Sequence, residues 1–105
     1  MKIELFYVPG CPNHQPAIES LVRILSSKSL QADIAEVAVH TEAEAKALRF
    51  PGSPTIRVNG ADVEPESAGK AGLACRLYNN GTGVPSEETI RRALSSVREG
   101  GAEAP

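Results

Sequence analysis

Two cysteines and one histidine carry most of the chemistry this sequence offers. Cys11-Pro12-Asn13-His14 follows a short apolar run closed by Pro9-Gly10, and Cys75 lies far downstream in Leu73-Ala74-Cys75-Arg76-Leu77-Tyr78. Pro-Gly before Cys11 and Pro after it hold the residue out of a regular element and at the mouth of a helix. There the unpaired N–H groups and the positive end of the helix dipole favour the thiolate, which makes Cys11 a nucleophile rather than a buried, inert cysteine. His14, three residues on, is placed by helical spacing on the same face. Two readings of it stand: a neighbour that stabilises the thiolate or moves a proton, and a first-turn polar residue facing water. Cys75 has two readings as well. It is a second thiol that resolves a mixed disulfide, or it is core packing among Leu73, Leu77 and Tyr78. Arg76 and Arg57 are candidates for an anionic thiol substrate, although a solvated arginine is the simpler account of both. His40 reads as a surface turn residue. Cys11, His14 and Cys75 form a weak set of soft ligands, because structural zinc uses four ligands in two close pairs. No metal site is therefore assigned.

These residues need elements to position them. Lys2 to Val8 reads as a buried strand, and Ala32 to Val39 as a second. Between them Ile18, Leu21, Val22 and Leu25 repeat at helical spacing, which predicts a helix starting just after Cys11 and a parallel βαβ unit. Thr41 and Glu44 form a capping box for a helix to about Arg49, ended by Phe50-Pro51-Gly52. Thr55–Val58 and Ala61–Glu64 flank Asn59-Gly60, a strong hairpin signal. Leu73–Tyr78 reads as extended and apolar. Ser86 caps a last helix with Glu87 and Glu88 in its first turn and Ile90, Ala93, Leu94 and Val97 on its buried face. The order is β-α-β-α-β-β-α: one α/β domain with a central mixed sheet and helices on both faces.

A first strand ending in Cys11-Pro12-Asn13-His14, a βαβ unit, and Gly52-Ser53-Pro54-Thr55 before a hairpin resembles the thioredoxin fold. More narrowly, CPNH, LRFPGSPTIRVNG and CRLY resemble a group of small bacterial thioredoxin-like proteins, some labelled alkylmercury-lyase-like or selenoprotein-like. The resemblance covers roughly residues 2–98 and implies a thioredoxin-like domain, placed over residues 1–99; the sequence itself reads 100–105 as a flexible tail. The resemblance also implies a cis bond at Ser53–Pro54 and a groove in which Ser53, Pro54 and Thr55 meet substrate, with backbone groups of Ser53 free to pair with an extended chain. Position 14 departs from the family pattern. Histidine stands where a dithiol oxidoreductase has its second cysteine, so a mixed disulfide on Cys11 has no resolving thiol within the motif. The expected function is thiol redox chemistry by a single reactive cysteine on disulfides or thiol adducts. His14 would tune that cysteine, Cys75 or an external thiol would close the cycle, and no cofactor is called for. The rival readings are a soft-metal carrier of mercury type and a non-catalytic adaptor.

Composition narrows the partners. The chain has 105 residues, with 11 Lys+Arg against 13 Asp+Glu and aromatics at 4%. A slightly acidic surface with few stacking rings argues against nucleic acid and anionic membranes. A chain this long buries roughly 65% of its unfolded surface without a disulfide staple. No run approaches the roughly 20 apolar residues of a membrane span, and the start lacks a secretory pattern, so a cytoplasmic location is expected. The oligomeric state is not readable. Gly81-Thr82-Gly83 is too short for a phosphate-binding loop.

Overall fold

In a computed structural model, the backbone is described for residues 1–103 and the side chains for residues 1–96. The elements are β1 (Lys2–Tyr7), α1 (His14–Ser27), β2 (Asp33–Ala38), α2 (Glu42–Leu48), β3 (Thr55–Val58), β4 (Ala61–Asp62), a 3-10 turn (Pro65–Ser67) and α3 (Glu87–Glu103). The four strands form one mixed sheet in the order β2-β1-β3-β4. β1 runs parallel to β2 with Leu5 opposite Glu36, and antiparallel to β3 with Leu5 opposite Ile56. β3 and β4 are an antiparallel pair joined at Asn59-Gly60, both with positive φ, as the tight turn between right-twisted strands requires.

Alternation along the strands sends side chains to two separate cores. Ile3 and Leu5 of β1 and Ile56 and Val58 of β3 face Leu21 and Ile24 of α1 and Ile90 and Leu94 of α3. Phe6, one residue out of step, faces the opposite way with Val39, Ala45 and Phe50. α1 and α3 therefore cover one face of the sheet and α2 the other.

The local signals behave as their chemistry dictates, with instructive departures. Thr41 caps α2 by accepting from the Glu44 N–H at 3.1 Å, but the Glu44 carboxylate reaches one residue further back than expected, to the N–H of His40 at 3.3 Å. Ser86 accepts from the Thr89 N–H at 3.1 Å. α1 starts at His14 with Asn13 as its N-cap, so Cys11 lies in the loop before the helix rather than on it. Its buried stripe is Ala17, Ser20, Leu21, Ile24 and Leu25; Val22, expected in the core, is 51% exposed. Arg57 is not a free surface arginine. It donates to the carbonyls of Leu48 and Arg49 at 2.8 and 3.0 Å, closing the end of α2, and lies 4.8 Å from the centre of the Phe6 ring. α3 continues through Gly100 and Gly101 to Glu103, where a tail from residue 100 was expected. The part of that expectation that falls on 104–105, and the buried side expected for Val97, lie outside the described residues. Among the described residues, no helix is long and apolar enough to cross a membrane.

Candidate functional site

The site is built where the end of β1 meets the turn before β3. After Val8 the chain reverses, with the Cys11 N–H donating to the Val8 carbonyl at 3.0 Å and the Cys11 carbonyl accepting from the His14 N–H at 3.2 Å. The Cys11 thiol is free and half-buried. The Asn13 side chain lies over Gly83, where a Cβ would otherwise sit, and ties the 80–83 loop to the start of α1.

Opposite this loop, the Ser53–Pro54 bond is cis. Ser53 is 2% exposed, and its polar groups all have partners inside the protein. Its hydroxyl accepts from the Val8 N–H at 3.0 Å, its N–H donates to the Ala74 carbonyl at 2.9 Å, and its carbonyl accepts from the Arg76 N–H at 3.0 Å. Ser53 and Cys75 thus form a parallel bridge. Leu73–Tyr78 was expected to be extended throughout, but residues 73 and 74 are bends and the segment adds this single bridge rather than a fifth strand. The backbone groups expected to await a substrate are occupied by the chain itself.

From Cys75 onward the side chains alternate; of the residues expected in the core, Tyr78 is buried and Leu73 packs half-buried against the Phe6–Phe50 cluster, whereas Leu77 is turned out. Arg76 and Tyr78 point inward, while Cys75 is exposed and Leu77 is 67% exposed. Arg76 goes inward because both terminal nitrogens of its guanidinium meet acceptors, although its buried Nε has no partner among the described residues. It grips both oxygens of Asp62 at 2.7 and 2.9 Å and also donates to the Glu64 carbonyl at 2.8 Å, the Ser67 hydroxyl at 3.0 Å and the Thr55 hydroxyl at 3.2 Å. The Tyr78 ring lies beneath it, 4.2 Å from centre to guanidinium carbon, and the Tyr78 hydroxyl donates to the Pro54 carbonyl at 2.5 Å. Burial pushes the Tyr78 phenol well above its ordinary range, opposed by the Arg76 charge. Thr55 is fully buried and donates to the Gly52 carbonyl at 2.6 Å. Three assignments change as a result. Arg76, at 3% exposure, is neither solvated nor open to an anionic substrate, and Thr55 and Pro54 are buried supports of the site rather than its surface.

His14 sits beside the site without entering it. Its ring stacks on Tyr7 with centroids 3.7 Å apart and planes 8° from parallel, and its Nε2 is 2.6 Å from a Glu36 carboxylate oxygen. The imidazole, read from sequence either as a neighbour of the thiol or as a polar residue facing water, fastens the first turn of α1 to β1 and β2.

Cys11 and Cys75 come to one place. Residues 8–12, Ser53 and residues 73–75 line a cleft of about 210 Å³, and both thiols are free. Among the described residues, none that lines this cleft carries a charge. Nor do any three His, Cys, Asp or Glu side chains among the described residues group so as to hold a metal ion. Sequence reasoning missed three contributors. Gly52 lets residues 74–76 approach, Asp62 holds Arg76, and Glu36 holds His14. Only Gly52, beside the Ser53-Pro54 turn, carried a local signal.

Comparison with known protein families, curated proteins and solved structures finds no match for this chain.

Proposed function

We propose that the protein is a thioredoxin-like thiol redox protein in which Cys11 is the attacking thiol and Cys75 the resolving one. The observation that carries this reading is that both thiols, distant in sequence, line one cleft at the mouth of α1. The fold part of the proposal is supported by the strand order, the parallel β1–β2 pair, the antiparallel β3–β4 hairpin and the Ser53-Pro54 turn facing the Cys11 loop.

The chemistry is thiol–disulfide exchange. The Cys11 thiolate attacks one sulfur of a disulfide RSSR, forming Cys11–S–S–R and expelling RS⁻. The Cys75 thiolate then attacks the Cys11 sulfur, forming the Cys11–Cys75 disulfide and expelling the second RS⁻. The protein dithiol loses two hydrogens, the substrate disulfide becomes two thiols, and an external dithiol restores the protein by the same exchange in reverse.

The test is mass spectrometry of the reduced protein after brief treatment with a disulfide. An intramolecular Cys11–Cys75 disulfide is expected in the native protein. A stable mixed disulfide on Cys11 is expected in Cys75→Ser, and no such product in Cys11→Ser. Mixed disulfides that accumulate on Cys11 with Cys75 present would remove the resolving role. A Cys11 that reacts no faster than a free model thiol would remove the function.

A further inference from the structure

We infer that the Cys11–Cys75 cleft takes small, uncharged disulfides rather than bulky or charged ones. This rests on the thiol reading above and names the substrate class of the same site.

Three observations carry it. Pairing of a substrate backbone with Ser53, across the cleft from Cys11, needs the main-chain groups of Ser53 free. Here the N–H and carbonyl of Ser53 are both bonded to residues 74 and 76, and the hydroxyl to Val8. The occupying segment is fastened from beneath by Arg76 on Asp62, so it is a built part of the cleft wall. Next, the cleft holds about 210 Å³, less than the roughly 300 Å³ at which pockets for drug-sized ligands begin. Last, the lining is neutral. Glutathione disulfide brings carboxylates that need cationic partners, and Arg76, the arginine nearest in sequence to the site thiols, is already committed to Asp62. A neutral dialkyl disulfide needs none of these contacts. Its exchange follows the atom balance given above: one RS⁻ leaves when the Cys11–S–S–R bond forms, and the other leaves when Cys75 closes the internal disulfide.

The experiment uses full-length Cys75→Ser, in which the first exchange is trapped. The rate of Cys11 mixed-disulfide formation is measured with 2-hydroxyethyl disulfide, glutathione disulfide and insulin, each divided by the rate of the same reagent with a free model thiol. The normalised rate for 2-hydroxyethyl disulfide is expected to exceed the other two by about tenfold or more, the scale of one missing charge-assisted contact. A normalised rate for glutathione disulfide or insulin equal to or above that of the neutral probe overturns the substrate class and leaves the thiol reading standing. Three normalised rates no greater than one overturn both.

Discussion

Ser53 and Ala74 are joined backbone to backbone, the Ser53 N–H donating to the Ala74 carbonyl at 2.9 Å, directly beside the loop that holds Cys11. That bond and its companion from the Arg76 N–H to the Ser53 carbonyl occupy both main-chain groups of Ser53 with an internal segment. They also set Cys75 at the cleft, because its neighbours on both sides are the bonded residues. The position of the second thiol is a consequence of main-chain pairing, and its stability rests on the residues that let the two segments approach.

Gly52 is the first of these. A Cβ there would stand 3.0 Å from the Ala74 carbonyl oxygen and 3.1 Å from the Arg76 Cβ, and its φ of +131° is one that side-chain-bearing residues rarely adopt. Gly52→Ala is expected to destabilise the fold by about 1–3 kcal/mol through backbone strain and to push residues 74–76 away from Ser53. Urea denaturation checks the first effect. The yield of Cys11–Cys75 disulfide on oxidation checks the second, and it should fall. An unchanged yield would mean that the pairing with Ser53 does not position Cys75.

Arg76 is the second. Its side chain is 1% exposed and that of Asp62 is 13% exposed. Removing one partner of such a pair leaves an uncompensated buried charge, at a cost of about 3–5 kcal/mol. Arg76→Ala should therefore approach the whole stability of a small domain, and Arg76→Lys should recover little, because a point charge cannot replace a planar fork that serves five acceptors. Thermal melts of the two variants beside Asp62→Asn check this. If Arg76→Lys matches the native protein, the guanidinium geometry is not what holds the segment.

How much of this was legible in the sequence follows from the range of the forces involved. Strand and helix positions rest on local periodicity and capping, so β1, α1, β2, α2, the Asn59-Gly60 hairpin and the Ser86 cap were all readable. Residues 73–78 were expected to be extended, but residues 73 and 74 are bends, and the facing of the segment was only partly legible. Leu73 and Tyr78 pack as their hydrophobicity suggests, but Arg76 turns inward and Leu77 outward, which hydrophobicity alone does not select. What turns Arg76 inward is a carboxylate from β4, a contact between segments that spacing does not encode. The contacts of His14 were not legible for the same reason. Its partner Glu36 comes from a different strand, and its stacking on Tyr7 depends on where the end of β1 passes beneath α1.

Tyr78 gives the pH dependence a definite sign. Burial raises its phenol above the ordinary value of about 10, so the folded state holds the proton more tightly than the unfolded chain. A group raised in this way contributes stability that is fully present below the unfolded value and lost as the pH climbs above it. The native protein should lose stability above about pH 10 more steeply than Tyr78→Phe. Near neutrality the variant should cost only about 0.5–1.5 kcal/mol, for the bond to the Pro54 carbonyl. Denaturant midpoints across the alkaline range for the two proteins decide it, and parallel curves would place the phenol's ionisation outside the stability of the fold.

His14 separates a positioning role from a chemical one. Its Nε2 is engaged by Glu36 at 2.6 Å and its ring face by Tyr7, which leaves it holding the start of α1. Loss of a true general base costs about 10²-fold or more in rate. His14→Phe keeps the stack on Tyr7 and removes the imidazole nitrogens, so it should change the Cys11 exchange rate far less than that. Its effect on stability should stay within about 1 kcal/mol, the range of one partly exposed polar contact. Glu36→Gln should behave alike, because the two residues act as one contact. A loss of exchange rate of about 10²-fold in His14→Phe at unchanged stability, with Glu36→Gln unaffected, would instead make the imidazole a participant in proton transfer at the thiol.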